Sequence, residues 1–239
     1  MKAHERHQLK RNDFAQTLAR VVAAASENSQ RALLLVVGVV AIAAIVGGYF
    51  WWSKRQADQA GAMLGEAMAI VNAPVVPAPT LPGATQAAGT YPTEAARQEA
   101  AIAALQGVAS EYGSTDAGLT ARVELAATYL RAGRAADAER EFRQVADAGS
   151  PLYSAPARLG VAEALVAQSK FDEAIAVLNE LSGDRTGPLP VDGILMQLAR
   201  TCVKAGKTDE ARAAYRRIVD EFPESFYVPE ARQQLTLLG

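Results

Sequence analysis

RAGRAADA at 131–138, AQSKFDEA at 167–174 and KAGKTDEA at 204–211 are three versions of one turn in a chain of 239 residues. The alanines that close them, Ala138, Ala174 and Ala211, follow one another at 36 and 37 residues. Upstream of each turn stand Leu125-Ala126 and Tyr129, then Val161-Ala162 and Leu165, then Leu198-Ala199 and Cys202. Downstream stand Phe142 and Val145, then Leu178 and Leu181, then Tyr215 and Ile218. Apolar residues three or four apart on both sides of a turn predict paired amphipathic helices. Proline or serine-proline closes each pair, at Ser150-Pro151, before Pro188 and at Pro223. Nothing in this half alternates with period two. The reading is all-α.

A helix–turn–helix unit of this period resembles the tetratricopeptide repeat, whose length is about 34 residues. In that family one small residue lets the paired helices approach and a second seats the following helix. Here Ala126, Ala162 and Ala199 match the first position, and Ala138, Ala174 and Ala211 the second. The chain departs from the family in lacking its tryptophan at the fourth position and in two longer loops. The resemblance covers residues 93–239 and implies a helical-repeat α-solenoid. An earlier half-repeat shows in Ala101, Leu105, Val108 and Tyr112-Gly113. Residues 54–72 are a candidate for its missing first helix, with a proline stretch as the inserted loop. At the far end, VPEARQQLTLL after Pro223 reads as a closing helix over the last apolar face.

Outward from the repeats, residues 73–92 carry five of the eleven prolines and no charge, which predicts an extended linker or long loop. Residues 53–72 form a membrane-proximal helix. Residues 32–52 are 21 positions without a charge, ending in Tyr49, Phe50, Trp51 and Trp52 and flanked by Arg31 and Lys54-Arg55. About 20 apolar residues cross a hydrocarbon core, and aromatic rings favour its headgroup border. The run is too long, and too far from the N-terminus, for a cleaved signal peptide. It predicts a single transmembrane helix.

Six basic residues precede the span (Lys2, Arg6, Lys10, Arg11, Arg20, Arg31), and two follow within 20 residues (Lys54, Arg55). That asymmetry predicts a cytoplasmic tail at 1–31 and everything after Trp52 on the other side. Within the tail, Phe14, Leu18, Val21, Val22 and Ala25 share one face of a short amphipathic helix. His4 and His7 lie one turn apart without a third ligand and read as solvated.

Composition narrows the chemistry. A net charge of −2 offers no electrostatic pull on nucleic acid. Two histidines and one cysteine exclude an intrachain disulfide framework and the usual zinc sites. We expect no catalytic residues, no metal and no cofactor. The acid pairs Asp172-Glu173 and Asp209-Glu210 open second helices, where carboxylates favour the positive dipole end. Cys202 reads as a small buried hydrophobe.

The tetratricopeptide resemblance implies a groove along the first helices. By repeat position it would present Val123, Leu159 and Met196, then Leu130, Val166 and Val203, with Arg131, Glu163, Arg200 and Lys204 at its edge. Val123 and Ala127 stand where the family's carboxylate clamp needs lysine and asparagine, which disfavours a reader of C-terminal carboxylates. The layout as a whole resembles the ancillary subunit of the Sec translocon in the bacterial inner membrane. That resemblance implies translocon subunits, periplasmic chaperones and exported polypeptides as partners, met on the periplasmic side. The alternative is a scaffold bridging envelope complexes in cell division or outer-membrane assembly.

Overall fold

The computed structural model describes residues 29–79 and 85–239. The amphipathic tail segment, His4, His7 and the five basic residues before Ser29 lie outside the described residues. Helix α1 spans Ser29–Val71 without a break, so the expected span at 32–52 and the helix at 53–72 are one element. It is long and apolar enough to cross a membrane. From Val36 to Trp52 its large apolar side chains stay uncovered, Val46 at 47% and Ile45 at 71% exposed. Near the end of that run the Arg55 guanidinium lies 5.4 Å from the Trp51 ring centre.

The chain divides into two compact units at Arg55/Gln56. Beyond α1, the second unit holds α2 (Glu94–Glu111), α3 (Asp116–Arg131), α4 (Ala135–Asp147) and α5 (Ser154–Ala167). It continues through α6 (Phe171–Gly183), α7 (Val191–Lys204), α8 (Thr208–Glu221) and α9 (Val228–Leu238). Among the described residues the only β pairing is one isolated bridge, Val75 with Tyr91. From α2 onward each helix packs on the next, and α3 also reaches α5, aligning two first helices.

Two apolar clusters form the interior. The first joins α1 to α5, with Ala174 of α6, around Leu105, Leu125, Val145 and Leu165; the second joins α6 to α9, with Ala162 of α5, around Leu178, Leu195, Tyr215 and Ile218. All six register alanines, Ala126, Ala138, Ala162, Ala174, Ala199 and Ala211, are at most 1% exposed. A methyl group there lets backbones approach to where larger side chains would collide.

Ala60 and Ala67 of α1 are fully buried in the first cluster, and Met63, Leu64 and Val71 pack against it. The C-terminal part of α1 therefore stands as the missing first helix of the half-repeat. The described ends of the proline stretch are tied together and to α2. Val76 N donates to Tyr91 O at 2.8 Å, Tyr91 N to Pro74 O at 3.1 Å, and Arg97 Nη1 to Ala73 O at 3.1 Å.

The three quoted turns share one geometry. Arg134 N bonds Tyr129 O at 2.8 Å, Lys170 N bonds Leu165 O at 2.9 Å and Lys207 N bonds Cys202 O at 2.9 Å. Each closes its helix through a left-handed residue, Gly133 (φ 73°), Ser169 (φ 60°) and Gly206 (φ 74°). Ser169 bears a Cβ where glycine is favoured. We expect Ser169→Gly to stabilise the unit by about 0.5–1 kcal/mol, glycine's entropy loss being the smaller term. A higher thermal midpoint by circular dichroism is the check, and an unchanged or lower one counts against that balance.

The vacant tryptophan position holds Arg122, Arg158 and, in the third repeat, buried Leu195. Arg122 stands there in the first full repeat, with Nη1 on Glu141 Oε2 at 2.8 Å and Nη2 on Ala109 O at 2.9 Å. Its side chain is 17% exposed and that of Glu141 11%, so one guanidinium links α2, α3 and α4.

Candidate functional site

The first helices α3, α5 and α7 hold every groove residue expected from the sequence, but not all on equal terms. Val123, Leu130, Leu159 and Val166 are half-buried, each packed on one of the two clusters. Met196 is 1% exposed and belongs to the core, whereas Val203 is 43% exposed. Arg131 is exposed and donates through Nη2 to Thr128 Oγ1 at 2.9 Å.

The structure gathers the later residues into two adjoining clefts. One, of about 200 Å³, opens between α5 and α7, with Glu163 and Val166 facing Gln197, Arg200, Thr201 and Lys204. The second, of about 330 Å³, lies along the same face of α7 and has Leu159, Leu189, Ile194 and Met196 among its walls. Phe226 and Tyr227, from the connection between α8 and α9, complete it. Gln197 and Arg200 belong to both. Val203 lines neither, and the groove residues of α3 stand apart from them.

The polar groups here are mostly committed. Gln197 Nε2 donates to Glu163 Oε1 at 3.0 Å. Arg200 Nη2 reaches both oxygens of Glu230 at 2.7 Å, and Nε reaches Oε1 at 3.1 Å. The hydrogen bonds it donates to Glu230 hold the Arg200 guanidinium above its ordinary pKa, against the opposing effect of burial. Thr201 Oγ1 donates to Gln197 O at 2.8 Å. Among the described residues Lys204 has no ion-pair partner.

Sequence reasoning missed Gln197, Thr201, Phe226 and Tyr227. Their signal was faint: the first two neighbour groove positions on α7, and the last two follow Pro223 in a connection whose return onto α7 is not periodic. Chemistry of other kinds finds little footing. Burial pushes the Cys202 thiol up to about 11, so it stays protonated at neutral pH rather than forming the nucleophilic thiolate. Among the described residues no group of three or more His, Cys, Asp or Glu is placed to hold a metal ion.

A family model for the tetratricopeptide repeat-like domain matches residues 25–236. The chain belongs to that family. Its likeness to solved structures is one of fold. The kinesin light chain nearly identical TPR-like repeats of Podosopora anserina share 17% identity, with 59% of this chain and 77% of that one covered, at a TM-score of 0.51. MamA shares 20% identity over 59% of this chain and 77% of its own, at a TM-score of 0.48. No curated protein matches the sequence. Tetratricopeptide repeat-like domains are protein-interaction modules, and the two clefts of this one lie along its first helices α5 and α7.

Proposed function

We propose that this tetratricopeptide repeat-like protein is a single-pass anchor carrying a partner-binding groove outside the cytoplasm, at the bacterial inner membrane. There it assists the Sec translocon by holding hydrophobic stretches of exported chains. The observation that carries this reading is the pair of adjoining clefts on α5 and α7, apolar in their floor and charged at their rim. Such a surface suits an unfolded or extended segment better than a flat protein face. The uncovered apolar stretch of α1 and the six-to-two excess of basic residues before the span support the anchor and its orientation. Tethering raises effective concentration toward the millimolar range, so modest groove affinity suffices.

Two measurements test the reading. A reporter active only outside the cytoplasm, fused after Gly239, should be active; activity of a cytoplasm-only reporter there reverses the orientation. A photo-crosslinking residue in place of Val166 should capture translocon subunits and chains in transit. Capture of cell-division or outer-membrane assembly proteins in their place transfers the function to the scaffold alternative.

A further inference from the structure

Resting on that groove reading, we infer that the joined clefts select an extended segment with a bulky apolar side chain about three or four residues from an acidic side chain. The apolar requirement comes from the larger cleft. Leu159, Leu189, Ile194 and Met196 wall it, and the Phe226 ring, 79% exposed, stacks on Tyr227 with centroids 3.8 Å apart. A large aromatic left in water beside a concave apolar surface has area to gain from a partner's side chain.

The acidic requirement comes from which charges are already spent. Glu230 pairs with Arg200 through both oxygens, and the Thr201 hydroxyl is turned onto its own helix; Glu163 keeps its charge but is held by Gln197, seven residues and about 10 Å along α7 from Lys204. Lys204 is the cation of the smaller cleft without an ion pair among the described residues. Its ammonium is a point charge with rotatable donors, suited to one carboxylate oxygen. A chain terminus needs several converging backbone donors, whereas a lone ammonium suits a single side-chain carboxylate, so the occupant is an internal segment with an acidic side chain.

The spacing follows from helix geometry. Met196 and Lys204 lie on one helix, about 12 Å apart along its axis at about 1.5 Å per residue. An extended peptide rises about 3.3 Å per residue and covers that in about three or four.

The test uses the full chain in nanodiscs and short fluorescent peptides built on a Gly/Ser background, read by anisotropy. The reference peptides place Phe and Asp at the stated spacing in either order; others replace Phe by Ser, Asp by Asn, or Asp by Lys. Loss of Phe should weaken binding about tenfold or more, and loss of the acid about two- to fivefold, the latter fading with added salt. Lys204→Glu changes an exposed side chain at the end of α7 and should reverse the preference to the Lys peptide. Phe226→Ser should narrow the gap between Phe and Ser peptides. If all Phe peptides bind alike and Lys204→Glu changes nothing, the acidic selection is wrong while the groove reading stands. If no peptide binds even at millimolar concentration, both are wrong.

Discussion

Ala174→Trp is expected to lower the thermal midpoint of the repeat unit by roughly 6–12 °C, from a loss of about 3 kcal/mol or more. Ala174 is fully buried and sits in the first cluster with Val161, Ala164 and Leu165, where α6 meets α5. Overpacking by a methylene or two costs about 1–3 kcal/mol, and an indole adds far more volume than that. The helices must separate or α6 must rotate, and either opens the neighbouring contacts. Ala176 supplies the control, because it lies on the exposed face of the same helix. Ala176→Trp should change stability by no more than about 0.5 kcal/mol. Circular dichroism melts of the unit from Gln56 onward compare the two, and equal midpoints would reject the repeat register.

A fragment beginning at Thr93 should be less stable than one beginning at Gln56 by roughly 3–6 kcal/mol. Deleting residues 56–92 removes Ala60, Ala67, Met63, Leu64 and Val71 from the cluster that holds Ile102, Leu105 and Val108. The inner face of α2 then meets water, and the hydrogen bond from Arg97 to Ala73 O is lost. In a solenoid each layer depends on its neighbours, so α2 should fray first and expose apolar surface. A hydrophobic dye that brightens with the shorter fragment, together with an earlier melt, is the expected result. Coincident melts and no dye binding would show that α1 contributes nothing to the first repeat.

Several features were legible because they are local and periodic. Turn residues and the alanines before and after them recur at fixed spacing, and each had to be small or left-handed for a reason internal to its own helix pair. Thr93 and Thr115 act just as locally, their hydroxyls accepting from Ala96 N at 3.1 Å and Gly118 N at 3.0 Å as α2 and α3 begin, but only the structure singles them out. Harder to read was Gly118 itself, where a Cβ would lie 1.9 Å from the Tyr112 carbonyl oxygen. Nothing in the spacing announces that closeness; it arises from the tight connection out of α2. Arg122 was equally opaque, since a charged residue in a core slot makes sense only once Glu141 and Ala109 O are beside it.

By itself, then, the sequence determined the helical repeats, their register and one apolar run long enough to span a bilayer, because each depends on residues within a few turns of one another. Only the tertiary structure decided that α1 supplies Ala60 and Ala67 to the first core, an alanine-rich face being equally compatible with solvent. It likewise decided that Met196 is buried beneath the larger cleft while Val203 stands exposed outside both, and that Phe226 and Tyr227 close the larger cleft. Those outcomes depend on which helix or returning loop covers each position. Coverage is set by neighbours distant in the chain, and helical periodicity carries no record of them.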